Sequence, residues 1–229
     1  MGLENQNHVT KNQDIPMRDG INIFLDEDAV SGQNRESRIL YNIIAPFYDL
    51  PYTLYDAITG GGAERIRREY LKELDIEAGD AVLEVCIGTG VNIRYLQPEA
   101  NYSGLDISLA MLRKCRKNLN RWDRQAQLFL SEAECLPFKK NTFDVVFHMG
   151  GINFFNDKAQ AIREMVRVAK PGTKLLIVDE TEMYARRRHG KTPLIMAPVS
   201  LLPAEVENVR YQDARGSRLY CLTFRKPSD

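Results

Sequence analysis

Short apolar runs alternate with amphipathic stretches over most of the chain after residue 79. The apolar runs are typical of buried parallel strands and lie at 81–86, 102–107, 127–131, 143–149 and 173–180. The two longest amphipathic stretches follow Ser108 and Asp157, which are suitable helix caps. The segment VNIRYL, directly after the first run, is also predicted to be helical. This order of elements predicts a parallel sheet with helices on both faces.

The last part of the chain breaks this order. Residues 207–226 contain two strand-like runs around a turn from Ala214 to Ser217, which predicts a hairpin and an antiparallel strand beside the sheet. The predicted fold is therefore α/β and Rossmann-like, with a seven-stranded, mostly parallel sheet.

The N-terminal third divides into two parts. Residues 1–37 are mostly polar and predict a flexible arm. Residues 38–78 are rich in aromatic and aliphatic side chains, are interrupted by Gly60 to Gly62, and predict a helical cap over the active site. Residues 79–229 then form the core.

Charge and composition narrow the functional classes. The 31 basic and 31 acidic residues cancel, which removes the general cationic field that binding to nucleic acid or to an anionic membrane usually exploits, so bulk nucleic-acid binding is disfavoured. No long apolar segment is present, so we expect a cytoplasmic protein with no transmembrane segment. The four cysteines are widely spaced and form no C-x-x-C pair, so no metal site is predicted.

Candidate chemistry lies where the first two core strands end. Gly88 and Gly90 allow a sharp turn and close approach to a ligand, and Glu84 places a carboxylate beneath that turn. Asp106 ends the second strand, about 20 residues further on, where a carboxylate can accept hydrogen bonds from ribose hydroxyls. Nicotinamide-dependent oxidoreductases share these features, but their third glycine is replaced here by Ile93.

Four ordered segments, VLEVCIGTG, YSGLDISLAMLRK, SEAECLPFKKNTFDVVF and REMVRVAKPGTKLLIVD, resemble class I S-adenosylmethionine-dependent methyltransferases. Within that class the chain resembles the branch of ubiquinone and menaquinone C-methyltransferases over residues 38–180. The resemblance implies S-adenosyl-L-methionine as cofactor and a small-molecule or lipid-like methyl acceptor.

The resemblance also implies roles for individual residues. Gly88, Thr89 and Gly90 would hold the methionine portion, and Asp106 the ribose. Glu132 and Ala133 would hold the adenine, with Tyr48 and Met149 as lids, and Ile107 is a further cofactor-binding candidate. Glu84 would offset the positive charge of the cofactor.

Three positions depart from the family pattern. Cys86 replaces the first glycine of the loop, and we expect ordinary strand geometry there because a left-handed cysteine is strained. Glu132 replaces an aspartate. Residues 150–155 read GGINFF where the quinone branch has an Arg-Asn pair, so the acceptor remains open among quinone precursors, lipid amines and other small molecules.

Methyl transfer mainly requires positioning, with a base only where the acceptor must lose a proton. His148 and Asp49 are the catalytic candidates, although a lone histidine in an apolar strand is more often a hydrogen-bonded core residue. The basic run 186–189 is either a solvated helix face or a site for an anionic headgroup. A catalytically inactive binding protein of the same fold is the alternative.

Overall fold

The computed structural model describes residue 9 and residues 15–181, 198–214 and 219–228. The strands are β1 (Met17–Arg18), β2 (Ile21–Ile23), β3 (Ala81–Val85), β4 (Asn101–Asp106), β5 (Gln127–Leu130), β6 (Val145–Met149), β7 (Lys174–Glu180), β8 (Glu207–Ala214) and β9 (Leu219–Arg225). The α-helices are α1 (Gly32–Ile44), α2 (Leu50–Thr59), α3 (Gly62–Leu71), α4 (Leu109–Arg121) and α5 (Lys158–Val168).

All nine of these strands belong to one sheet, in the order β1-β2-β5-β4-β3-β6-β7-β9-β8. The six strands from β2 to β7 pair in parallel, whereas β1, β9 and β8 join by antiparallel pairing. The strand order reverses between β3 and β6, so a crevice is expected outside the carboxyl ends of these two strands.

Side chains alternate between the two faces of the sheet, as the period of a strand requires. Leu83 and Val85 of β3 pack with α5 on one face, and Val82 packs with α3 and α4 on the other. The sheet therefore has helices on both faces, which confirms the predicted fold class.

The seven predicted strands correspond to β3–β9, and the Ser108 and Asp157 side chains cap α4 and α5 as predicted. The sheet has nine strands because β1 and β2 come from the segment predicted to be a flexible arm. Ile21 of β2 is completely buried and pairs with Leu128. The predicted boundary at residue 37 also falls inside α1.

The helix predicted after the first core strand is a single 3-10 turn, Ile93–Tyr95. Few residues separate the glycine turn from Pro98 and β4, so a longer helix has no room. Tyr70 and Leu71 of α3 contribute to the same cluster as Ile93 and cover this face of the sheet. Within the described parts of the chain, no helix combines the length and apolar character needed to cross a membrane.

Candidate active site

A cavity lies at the carboxyl ends of the central strands. Its walls come from the loops after β3, β4, β5 and β6, and the cap contributes Ser37, Tyr41 and Tyr48. Five predicted cofactor residues line it: Tyr48, Gly88, Asp106, Ile107 and Ala133. The topology thus brings together residues that are far apart in the sequence.

The glycine turn has the backbone conformation predicted for it. Gly88 has φ 57° and Gly90 has φ 77°, both in the left-handed region that favours glycine. A Cβ atom at Gly90 would lie 2.6 Å from the Cys115 sulfur, so Gly90 allows close packing against α4. At Gly88 the nearest atom would be the Met111 methyl at 3.5 Å, which leaves this backbone open to the cavity.

Cys86 also lines the cavity, and its expected strand geometry is wrong. The residue has φ 61°, in the left-handed region. The chain must leave β3 sharply because the Ile87 amide donates to the Leu105 carbonyl at 2.9 Å, and this turn overrides the steric preference of cysteine. Burial raises the pKa of the Cys86 thiol well above its ordinary value, so the thiol is protonated at neutral pH.

Asp106 connects the two loops that meet in the cavity. Its Oδ2 accepts the Gly88 amide at 3.0 Å, and its Oδ1 accepts the Ser108 amide at 2.9 Å. Burial raises its pKa to about 6, although these backbone bonds oppose the shift. An ionised carboxylate has about four acceptor sites, so Asp106 can still accept hydrogen bonds from a ligand at neutral pH.

Glu84 lies beneath the glycine turn and is only 1% exposed. Desolvation raises its pKa to about 8. Its Oε1 accepts a 2.6 Å hydrogen bond from Asn92, whereas no described residue bonds to its Oε2. Asn92 Oδ1 in turn accepts from Arg67 Nη1 at 3.0 Å, and the same Nη1 lies 3.9 Å from the Met149 sulfur.

Arg67 and Asn92 were not predicted from the sequence. Asn92 follows the glycine turn closely, so its position could have drawn attention to it. Arg67 belongs to α3 of the cap, and only the tertiary fold brings it to the site. Glu84, Thr89, Gly90 and Met149 lie around the turn without lining the cavity itself.

A second link between cap and core involves Asn34 of α1, which is buried. Its Nδ2 donates to Glu132 Oε1 at 2.8 Å and to Glu134 Oε2 at 3.1 Å. Glu134 lines the cavity beside Ala133, whereas Glu132 does not. Neither Asn34 nor Glu134 carried a signal in the sequence, because their pairing spans about 100 residues of chain.

The two catalytic candidates bind protein groups. His148 is fully buried, with Nδ1 3.0 Å from the Val85 carbonyl and Nε2 3.5 Å from Asp179 Oδ2. Because a carbonyl only accepts, Nδ1 carries the hydrogen. His148 Nε2 has no hydrogen-bond partner among the described residues, and the ring does not line the cavity.

Asp179 also holds the loop after β6, since its Oδ2 accepts the amides of Gly151 at 2.9 Å and Ile152 at 2.6 Å. Asp49, the other catalytic candidate, accepts from Thr89 Oγ1 at 2.7 Å and from Asn118 Nδ2 at 3.2 Å. Asp49 therefore joins the cap to the glycine turn and does not line the cavity.

Two sequence features remain to be placed. The basic run 186–189 lies outside the described residues. Across the part of the chain that the structure describes, no group of three His, Cys, Asp or Glu side chains could hold a metal ion.

Comparison with known proteins identifies the domain. Residues 82–172 match the family described as a methyltransferase domain. Residues 82–172 are thus similar to a methyltransferase domain. The matched segment includes the glycine turn, Asp106 and the loops after β5 and β6.

Curated relatives include the demethylmenaquinone methyltransferase of Corynebacterium kroppenstedtii, 34% identical over 146 residues that cover 63% of this chain and 60% of that protein. The enzyme of the same name from Lactiplantibacillus plantarum is 31% identical over 149 residues, 62% of each chain. The chain thus spans somewhat less than two thirds of these relatives.

Solved structures share the fold of the methyltransferase domain. The [4+2]-cyclase SpnF superposes with a TM-score of 0.71 at 17% identity, covering 87% of this chain and 98% of that chain. A SAM-dependent methyltransferase from Aquifex aeolicus gives a TM-score of 0.56 at 19% identity over 70% of this chain and 89% of that one.

Proposed function

We propose that the protein is an S-adenosylmethionine-dependent methyltransferase whose acceptor is a small, lipid-like molecule. The observation that carries this proposal is the cavity that joins Gly88, Asp106 and Ala133 beneath the aromatic residues of the cap. The names of the curated relatives support a demethylated menaquinone precursor as the first acceptor to test.

The residues fit S-adenosylmethionine on chemical grounds. Glu84 lies beneath the glycine turn, and its Oε2 has no partner among the described residues. A cationic ligand group bound at that turn would favour the ionised form of this carboxyl group, whose pKa of about 8 keeps it protonated at neutral pH in the free protein. Asp106 retains acceptor sites for ribose hydroxyls after binding two backbone amides. The open backbone at Gly88 provides space for a ligand to approach closely.

Bound S-adenosylmethionine would supply an activated methyl group, so the protein's own task is to position the acceptor and exclude water. Tyr41, Tyr48 and Phe154 border the cavity and suit an apolar acceptor. Asp179 holds the Gly151 loop through two backbone amides, and His148 Nε2 lies 3.5 Å from the same Oδ2 without a hydrogen bond. If a proton must leave the acceptor, a water molecule in the cavity would take it, because His148 is fully buried and does not line the cavity.

Calorimetry with S-adenosylmethionine and with its demethylated product tests the cofactor assignment. Methyl transfer is then measured with a short-chain demethylmenaquinol, with phosphatidylethanolamine and with a simple catechol as acceptors. We expect micromolar binding of the cofactor and turnover with the quinol. Binding without turnover of any acceptor would instead support a binding protein, and the absence of binding would refute the proposal.

A further inference from the structure

The cap presents an apolar surface on the side away from the cavity. Ser37 and Tyr41 of α1 line the cavity, while Ile39 and Ile43, two positions further along, lie about 200° away around the helix axis. Ile43 is 69% exposed and Phe47, one turn later, is 71% exposed. The cap is therefore apolar on its outer side as well as its inner one.

Helix α2, which follows in the chain, carries a second apolar stripe. Leu50, Leu54 and Ile58 recur every four residues, so they form one stripe along the helix. All three are more than half exposed, and Ile58 reaches 76%. We define the outer face of the cap as Ile39, Ile43, Phe47, Leu50, Leu54 and Ile58. Single exposed apolar residues are ordinary, but such a series on consecutive helices marks an interaction surface.

A cationic helix lies alongside the outer face. Helix α4 contains five basic residues and no acidic one: Arg113, Lys114, Arg116, Lys117 and Arg121. The chain from 42 to 49 follows this helix, because Asn42 accepts from Ser108 Oγ at 2.7 Å and Asp49 accepts from Asn118 at 3.2 Å. Between them, Lys114 Nζ donates to the Ala45 carbonyl at 2.9 Å.

Lys114, Lys117 and Arg121 share the stripe of α4 that follows the cap, whereas Arg113 pairs with Asp19. Lys114 is paired with Asp49 at 3.2 Å. Lys117 and Arg121 lie on the adjacent part of the helix, are exposed, and form no ion pair within the described ranges. Amphipathic helices with an apolar face and neighbouring basic residues bind at the interface of anionic membranes.

We propose that the outer face of the cap docks on an anionic lipid bilayer, with Lys117 and Arg121 of α4 facing the lipid headgroups. The apolar side chains would enter the boundary between headgroups and acyl chains, and the opposite side of the same helix would still border the cavity. Docking does not depend on methyl transfer, so it can be tested whether or not the proposed function holds. If both hold, the cap would receive a lipid-like acceptor directly from the membrane.

Co-sedimentation of the full chain with vesicles tests the proposal. Vesicles of phosphatidylglycerol and phosphatidylcholine are compared with vesicles of phosphatidylcholine alone, and neither contains a quinone. We expect binding to the anionic vesicles that weakens as salt is added. A wild-type protein that remains in the supernatant with anionic vesicles at low salt would overturn the proposal.

Matched variants separate the apolar and the ionic parts. Ile43→Ser combined with Leu54→Ser should reduce vesicle binding at least tenfold, whereas Val209→Ser combined with Tyr211→Ser, which alters exposed residues on β8, should not. Lys117→Gln with Arg121→Gln should weaken binding to anionic vesicles several-fold. Lys139→Gln with Lys140→Gln, which removes equal charge before β6, should leave it unchanged.

Folding and oligomeric state are measured for the same variants. Thermal unfolding checks that the variants fold, as expected for exposed positions. Sedimentation velocity tests whether the outer face joins two copies of the chain. A dimer that the Ile43→Ser and Leu54→Ser changes dissociate, with no vesicle binding by the wild type, would overturn the membrane proposal in favour of self-association.

Discussion

Replacing Glu84 with glutamine should change how the stability of the protein depends on pH. Glutamine has the same shape and can keep the hydrogen bond from Asn92, but it cannot ionise. Burial raises the pKa of Glu84 from its ordinary value of 4.5 to about 8. The variant therefore isolates the free-energy cost of ionising this one buried carboxyl group.

The sign and size of the effect follow from proton linkage. Between pH 4.5 and pH 8 the folded protein holds a proton on Glu84 that the unfolded chain has released. The contribution of Glu84 to stability is therefore complete below pH 4.5 and is lost as the pH rises through 8. For pKa values of 4.5 and about 8, the loss between pH 6 and pH 9 is about 3 kcal/mol.

Urea unfolding at pH 6 and at pH 9 measures this difference. The free energy of unfolding of the wild type, relative to Glu84→Gln, should fall by about 3 kcal/mol between the two pH values. Glu99→Gln, at an exposed acid, serves as the control and should follow the wild type. Parallel pH profiles for the wild type and Glu84→Gln would refute the reasoning, because Glu84 would then ionise equally easily in both states.

Three further substitutions test separate parts of the site. Asp106→Ala should lower the affinity for S-adenosylmethionine by about 1.5–3 kcal/mol, measured by calorimetry, and an unchanged affinity would exclude the ribose role. Cys86→Val should lower the free energy of unfolding by about 1–2 kcal/mol more than Cys86→Ala, because a branched side chain tolerates the left-handed backbone poorly. Asp179→Ala should cost about 2–5 kcal/mol in the same unfolding assay, because two buried amides lose their acceptor. A loss below about 1 kcal/mol would show that water replaces the carboxylate.

The core of the fold could be predicted because its signals are local. Strands β3, β5, β6 and β7 consist mainly of apolar residues. The Ser108 and Asp157 side chains accept hydrogen bonds from the amides three residues later. Strands β1 and β2 gave no such signal, because segments of two and three residues are too short to show the alternation of apolar and polar side chains that marks a strand. The pairing of β2 with β5 depends on residues more than 100 positions away.

The residues of the site could be predicted where they lie at the end of a strand or in the loop directly after it. Gly88 and Asp106 follow directly from strand ends, and the structure places both on the cavity. Arg67 and Asn34 were missed because they act from the cap, across 25 residues to Asn92 and 98 residues to Glu132. The conformation of Cys86 was predicted wrongly. The steric preference of cysteine for a negative φ is outweighed by the turn that β3 and β4 impose together.

The short N-terminal strands also protect the sheet from other chains. Without β2, the backbone of β5 would become an open edge, with Leu128, Phe129 and Leu130 beside unpaired amides and carbonyls. Such an apolar edge can recruit a strand from a neighbouring molecule, which is a common start of aggregation. With β1 and β2 in place, the turn at Asp19 and Gly20 lies at this edge of the sheet. Asp19 Oδ2 there forms an ion pair with Arg113 Nη2 at 2.7 Å. A shortened chain that begins after residue 25 would therefore be expected to self-associate through β5, even though every residue of the cavity remains present.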